Sequence, residues 1–385
     1  MSMLQYCVRC LYPETKPDLW FNEEGVCSAC LNFEQRMVID WNAREKMFYE
    51  LLQRFKVTDG SNYDCIVPSS GGKDSHYQVI KMLELDMNPL VVTATTDALT
   101  DIGRRNIENV KNLGVDSIEI TPNPTLRRRM AKFGLEQVGD ISWTEHVAIF
   151  TVPVRVAQQM GIPLIIWGEN PQNEYGGPKG ATEETVLTRR WLEEFGGLLG
   201  LRISDFIDQL GIRPQDLIQY TYPSAESLEA NRISGVFLGQ YFPWDGYTNT
   251  LIAQSHGFET FPKSVEGSIV NYENLDNYQT GIHDYFKFLK YGFGRATDIA
   301  CNHIRRGRIT REQALSIVRR HDGKFPSSYL GRPIVDILAD IEVNLEEFHL
   351  ICNRFTNKRL FRTRVDGSLW RDWAGDLEKI NYDNV

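Results

Sequence analysis

The segment Ser69-Ser70-Gly71-Gly72-Lys73-Asp74-Ser75 constrains this chain more than any other. It lies between a short apolar run at 64–68 and a helical pattern at 74–85. Two adjacent glycines let a backbone turn sharply and aim successive N–H groups at one point. A helix start directly behind them adds partial positive charge, and Lys73 adds a full one. Ser70 and Ser75 supply hydroxyls. The segment therefore reads as a pyrophosphate cradle at a strand-to-helix turn. Its spacing excludes two other phosphate loops. A Walker A loop needs glycine where Val67 stands and Ser or Thr where Asp74 stands, and the G-x-G-x-x-G fingerprint is absent.

Beyond the loop, strand and helix signals alternate. Residues 89–96 form a β-branched run of strand type. Residues 102–113 read as a helix ended by Gly114, 117–121 as a short strand, 148–160 as a helix and 162–167 as a buried strand. Such alternation predicts an α/β fold, a parallel sheet with helices on both faces. Met37, Val38, Trp41, Met47, Phe48, Leu51 and Leu52 predict one amphipathic helix over 36–56. Residues 171–280 are rich in Gly, Tyr, Trp and Asn and show no clear period. Residues 281–355 read as helical, interrupted at Gly292 and Gly294, and Thr310 with Gln313 forms a capping box that opens a helix at Arg311. At 385 residues the chain has room for two or three domains. The expected layout is a four-cysteine module at 1–35, a linking helix at 36–62, a nucleotide-binding domain at 63–280 and a mainly helical region at 281–385.

Cys7-x2-Cys10 and Cys27-x2-Cys30 are separated by sixteen residues. Each pair presents two thiolates from a tight turn, and four thiolates at tetrahedral positions suit Zn²⁺. A closed set of four leaves no open coordination position, so the expected role is structural. Seven cysteines without an export signal argue for thiols or metal rather than a disulfide framework. The first residues lack a basic stretch followed by an apolar run, and no stretch reaches the ~18 apolar residues of a membrane helix. A cytoplasmic protein is expected. The net charge of −9 argues against a large RNA ligand.

Ser70-Gly71-Gly72-Lys73-Asp74-Ser75 after a first strand resembles the PP-loop of the ATP pyrophosphatase superfamily, with its adenine nucleotide alpha hydrolase-like fold. The resemblance implies that Ser70, Gly71, Gly72, Lys73, Asp74 and Ser75 hold the ATP phosphates and that the adenine lies near Thr95 and Asp97. It implies that a substrate oxygen attacks the α-phosphorus, that Lys73 and Asp74 act catalytically, and that Asp74 helps hold Mg²⁺. Further segments narrow the likeness: 100–109 followed by Leu113-Gly114-Val115-Asp116 and Pro122-Asn123; Gly168-Glu169-Asn170 with Glu174-Tyr175-Gly176-Gly177; Gly292-Phe293-Gly294-Arg295-Ala296-Thr297; 308–313; and 321–326. Together with the cysteines they resemble the N-acetyl sugar amidotransferase family of surface polysaccharide and flagellin-glycan biosynthesis.

That resemblance implies a reaction in which an acetamido group on a sugar becomes acetamidino, with ATP and ammonia. It points to a UDP-linked diacetamido uronic acid or a nonulosonic acid derivative. No cysteine here stands in a glycine-flanked elbow or at a processed N-terminus, so no glutaminase is expected within the chain. The resemblance implies a separate glutaminase subunit of the histidine-biosynthesis type with a cyclase-like companion; free ammonia is the other source. Glu169, beyond a predicted strand, reads as a base for ammonia or an Mg²⁺ contact, or else as a loop-shaping residue. Asn170, Glu174 and Tyr175 share its loop and are candidates for contact with the substrate, Glu174 and Tyr175 with sugar or ammonia. His76 reads as a substrate contact, or as a capping or packing residue. Arg295 reads as a contact to substrate phosphate or carboxylate, or as a structural ion pair. Between 284 and 324 there are ten Lys/Arg against four Asp/Glu, a solvated face or a guide for anions. Tyr241-Phe242-Pro243-Trp244 reads as core or as a sugar platform. The competing activity is tRNA thiolation, against which the isolated later cysteines and the acidic charge both argue. A zinc-bearing scaffold with a dead nucleotide site is the non-enzymatic alternative, and the intact loop speaks against it.

Overall fold

The computed structural model describes residues 4–96, 98–177, 198–373 and 375–380. The alternation becomes one five-stranded sheet of order β3-β2-β1-β4-β5, in which every pairing is parallel. The strands are β1 Cys65–Pro68, β2 Pro89–Ala94, β3 Asp116–Ile120, β4 Leu164–Trp167 and β5 Ser234–Phe237. Ile66 of β1 pairs with Leu90 on one side and Ile165 on the other. The chain therefore runs outward from β1 to β3, then returns to the far side of β1. That reversal opens a crevice beyond the carboxyl ends of β1 and β4, where open parallel sheets take ligands.

Strand parity divides the core. Ile66, Leu90, Val92, Ile165 and Trp167 face one side, under α5 (Pro124–Val138) and α6 (Trp143–Met160). Cys65, Val67, Val91, Leu164 and Ile166 face the other. There they meet Phe48 and Leu52 of α2 (Trp41–Gln53), Val79 and Met82 of α3 (Lys73–Glu84), and Val110 of α4 (Asp101–Lys111). Successive side chains of a strand point to opposite faces, so both layers are filled from continuous apolar runs.

The helix expected over 36–56 is α2, at Trp41–Gln53, and a separate helix precedes it. α1 (Ser28–Arg36) ends before Asp40, whose side chain accepts the Ala43 N–H at 3.0 Å and caps α2. Aspartate satisfies an orphan donor better at a helix start than inside a helix. Helices Thr280–Tyr291, Arg295–Arg305, Arg311–His321 and Leu345–Phe355 occupy the expected helical region. Gly292 caps the first at φ +74°, Gly294 precedes the second, and the Thr310–Gln313 capping box is present. This region does not stand apart. Its core joins Ile282, Phe286, Leu289 and Phe348 to Ile102 of α4 and Leu135 of α5. Among the described residues no helix is long and apolar enough to cross a membrane.

Candidate active site

The loop after β1 continues the strand by one bond, Ser69 N–H to the Val92 carbonyl at 2.9 Å. It then turns at Gly71, where φ is +81° and an added Cβ would lie 2.8 Å from Ile107 Cγ1. Only glycine fits a position both left-handed and this crowded. Ser69 Oγ accepts the Gly71 N–H at 3.1 Å, and Ser75 Oγ accepts the Ser70 N–H at 3.2 Å. These two bonds fix the curl. α3 starts at Lys73 with no side-chain cap. The first N–H groups of a helix have no partner within it, so those of Lys73, Asp74 and Ser75 are available to an anion. The space in front is a 130 Å³ cavity lined by residues 70–75 together with Asn106, Tyr272, Glu273 and Asp276.

Lys73 is buried between two carboxylates, Asp74 at 2.6 Å and Glu273 at 2.7 Å. Burial alone would lower its pKa, but the carboxylates outweigh burial and hold it above the ordinary lysine value. Asn249 donates to Asp74 at 2.9 Å. Burial raises Glu273, against the pull of Lys73. Asp276 lines both this cavity and a larger one of 400 Å³. Burial pushes its carboxyl up to about 6. The 272–277 segment is held in place by the Thr100 N–H, which donates to the Asp276 carbonyl at 3.1 Å.

Ser70, Ser75, Thr96, His146, Glu169 and Arg295 are among the residues that line the 400 Å³ cavity. Glu169 sits beyond the end of β4. Burial lifts its carboxyl far above the usual carboxylate range, and neighbouring Glu174 lifts it further. Glu174 is held from the carboxyl-terminal helices: Asn302 donates to its Oε1 at 2.9 Å, and Arg305 donates to its carbonyl at 2.8 Å. Tyr175 joins Lys73, Asp74, Glu169, Glu174 and Glu273 around a 70 Å³ cavity that bridges the two carboxylate groups.

The loop residues Ser70, Gly71, Gly72, Lys73, Asp74 and Ser75 thus meet Glu169, Glu174 and Tyr175 around connected space. Other candidates fall elsewhere. Thr95 is buried, and its neighbours Ala94 and Thr96 line the cavity in its place. Asp97 lies outside the described residues. His76 is wholly buried against Phe258, at 5.3 Å between ring centroids, with Nδ1 3.0 Å from the Gly72 carbonyl, and it lines none of these cavities. Its packing or capping reading describes it, since its ring lies against Phe258 and its Nδ1 against the Gly72 carbonyl. Asn170 caps α7 (Pro171–Tyr175) by accepting the Gln172 N–H at 3.0 Å. Arg295 is paired with Asp284 at 3.0 and 3.2 Å, and its side chain still reaches the cavity wall. Phe242 packs on Phe48, and Trp244 packs on Tyr77, which is the core reading of that aromatic run. The basic 284–324 stretch is not simply a solvated face. Arg306 lies 3.0 Å from Asp245, Arg308 pairs with the same carboxylate, and Arg311 holds the Cys10 carbonyl at 3.1 Å. Glu273, Asp276 and His146 were not visible as site residues in the sequence, since each reaches the loop only through tertiary packing.

The four thiols of Cys7, Cys10, Cys27 and Cys30 are buried, with all sulfurs within 4.8 Å of one another. Cys7 and Cys30 are 3.9 Å apart, and Cys10 and Cys27 3.6 Å. Tetrahedral Zn–S bonds of about 2.3 Å place sulfurs roughly 3.8 Å apart, so the set fits such an ion. Backbone N–H groups of Arg9, Cys10 and Cys27 lie within 3.5 Å of Cys7 Sγ, as befits a buried thiolate. The module packs on Phe293, Ala296, Ala300 and Cys301, and so on the helix that carries Asn302 and Arg305.

Residues 259–374 match the profile of a family described as "LPS biosynthesis protein WbpG-like, C-terminal domain". A solved structure, the NMN synthetase from Francisella tularensis, is similar over 50% of this chain and 93% of that one, at 14% identity and a TM-score of 0.28. No functionally curated protein matches the chain.

Proposed function

We propose that this chain is an ATP-dependent enzyme of bacterial surface-glycan biosynthesis that converts a sugar acetamido group to acetamidino. The observation that carries the proposal is the meeting of the Ser70–Ser75 cradle and the Glu169–Glu174 pair on adjoining cavities that share Glu169, beyond β1 and β4. An amide carbon is a poor electrophile because oxide is a poor leaving group. Attack of the amide oxygen on the α-phosphorus releases pyrophosphate and makes AMP the leaving group. Ammonia then adds to the activated carbon, and AMP departs with the former amide oxygen.

The chain's residues suit both halves. Ser70, Ser75, Lys73 and the first N–H groups of α3 bind the departing pyrophosphate. Asp276 and Asp74, both facing the phosphate cavity, would hold Mg²⁺, which supplies charge neutralisation between phosphates. Glu169 and Glu174, whose proximity and burial lift the Glu169 carboxyl, orient ammonia or the sugar by hydrogen bonds. Water must be kept from the activated carbon, since it would only regenerate the amide. The LPS-biosynthesis profile over 259–374 supports the glycan setting. Ammonia would come from a glutaminase subunit with a cyclase-like companion. The buried, scattered Cys65, Cys301 and Cys352 weigh against thiolation.

The test is mass spectrometry of UDP-linked diacetamido sugars and nonulosonic acids after incubation with the protein, ATP, Mg²⁺ and ammonium. The expected product carries NH in place of one acetamido oxygen, with AMP and pyrophosphate formed in equal amounts. Unchanged sugars alongside AMP formation on tRNA would overturn the proposal in favour of thiolation.

A further inference from the structure

The 400 Å³ cavity has a wall that the phosphate cradle and the Glu169–Glu174 pair do not use. Asp140 lies between α5 and α6 and is 2% exposed. Its Oδ1 accepts the Ser142 N–H at 2.9 Å and meets His283 Nδ1 at 2.8 Å. Its Oδ2 faces His146 Nδ1 at 3.3 Å, an ion-pair approach too oblique for a hydrogen bond. The two imidazoles lie edge to face, with centroids 5.0 Å apart. Each thus turns Nδ1 toward a different oxygen of one carboxylate, and each Nε2 points away from it. His146 lines the cavity together with Ser70, Ser75 and Glu169.

We infer that His146, oriented by Asp140 and backed by His283, is a proton-transfer residue of this cavity. Three observations carry this. Asp140 is a buried carboxylate that bonds the His283 imidazole and lies in ion-pair range of His146 Nδ1, and a carboxylate behind Nδ1 is what orients an acid–base histidine. The second imidazole is more than a structural tie needs, because one would already pair the carboxylate. His146 stands on the cavity wall with Ser70, Ser75 and Glu169, where the ammonia adduct would form. The groups that act on His146 are Asp140 and Glu145, which raise its pKa, and Arg295, which lowers it; burial also lowers it, and the net shift is upward.

The step rests on the proposed reaction. Ammonia adding to the activated carbon becomes an N–H-rich cationic adduct. His146 Nε2 takes one proton, the electron pair stays on nitrogen, and the C–O bond to AMP breaks. Imidazolium, amidine and AMP are the balanced products.

The test uses the full chain in two arms. Histidine-labelled protein, assigned with His146→Gln, is titrated by NMR without substrate. His146 is expected to titrate above an ordinary histidine and to fall toward it in Asp140→Asn. In single turnovers with ammonium, His146→Gln is expected to slow amidine formation by roughly 100-fold relative to pyrophosphate release and to remove the acid limb of the pH profile. An ordinary titration that ignores Asp140 overturns the inference even if no amidine is ever formed, so it fails separately from the reaction itself. Uptake of Zn²⁺ or Co²⁺ beyond the four-cysteine equivalent, lost in His146→Gln but kept in Asp74→Asn, also overturns it by making the cluster a metal site.

Discussion

Lys73 shows how a local motif acquires partners that the motif does not predict. The loop announces a lysine at a helix start, and the fold adds Glu273, two hundred residues away, as its second anion. Replacing Lys73 by Met leaves two carboxylates facing each other in buried space. Removing one member of a buried ionic group costs about 3–5 kcal/mol, and the lower end is expected here by chemical denaturation because Asp74 is partly exposed. Pyrophosphate release is expected to fall by roughly 100-fold or more, as when an aligned transition-state donor is lost. Asp276 gives a prediction of opposite sign. Its folded pKa of about 6 lies above its ordinary 3.8, so the folded state binds its proton more tightly. That preference stabilises the fold at low pH and is lost as pH rises through the folded value. Asp276→Asn should therefore melt with the wild type at about pH 4 and above it at about pH 8 in the absence of Mg²⁺. A constant difference across pH would remove the titration argument. The residues legible in advance were those that sequence brings together, Ser70 to Ser75 and Glu169 to Tyr175. His76 shows the limit of that logic. Next to the loop in sequence, it sits further round the helix and packs on Phe258.

At the scale of elements, the runs at 64–68, 89–96, 117–121 and 162–167 located four of the five strands; β1, β2 and β4 are buried and apolar on both faces, whereas β3 is a half-buried edge strand. β5 escaped, since Ser234-Gly235-Val236-Phe237 offers only two bulky apolar residues to an edge strand. α5 escaped although its punctuation was on the page: Asn123 as cap, Pro124 at the first turn and Gly139 at φ +61° after the end. Its interior, with three consecutive arginines, hides the apolar stripe. The four-cysteine module was legible from spacing, but its neighbour was not. It packs on the helix Arg295–Arg305, whose Asn302 and Arg305 hold Glu174. Metal removal should therefore reach the active site. Chelation, or Cys27→Ser, is expected to release one equivalent of zinc, lower the melting temperature and reduce amidine formation more than nucleotide binding. Equal loss of both would indicate general unfolding instead. Gly71→Ala tests the loop as an element. Positive φ and contact with Ile107 together should cost about 1–3 kcal/mol and weaken nucleotide binding.

For the whole molecule, the boundary suggested by changing composition near 280 is not where the packing divides. Ile102 and Leu135, from the sheet-flanking helices, share one core with Ile282, Phe286 and Phe348. The segment 272–277 closes the phosphate cavity from the far side. Neither part completes the site alone, so the region matching the LPS-biosynthesis profile reads as one wall of the cavity rather than an appended module. A chain ending at residue 258 would keep the Ser70–Ser75 loop, β1 to β5 and Asp74. It would lose Glu273, Asp276, Arg295 and the helices that hold Glu174. Ile102 and Leu135 would be bared to water, at about 25 cal/mol for each Å² of apolar surface exposed. Such a chain is expected to bind ATP at least ~10-fold more weakly by calorimetry, the equivalent of ~1.4 kcal/mol, and to unfold with lower cooperativity. The double substitution Glu273→Gln, Asp276→Asn in the full chain separates the two causes. If lost carboxylates alone explain the weakening, the double variant matches the truncated chain in Mg²⁺-ATP affinity while unfolding as cooperatively as the wild type. Full-strength ATP binding by the truncated chain would instead make the loop and sheet self-sufficient, with the carboxyl-terminal wall serving the sugar alone.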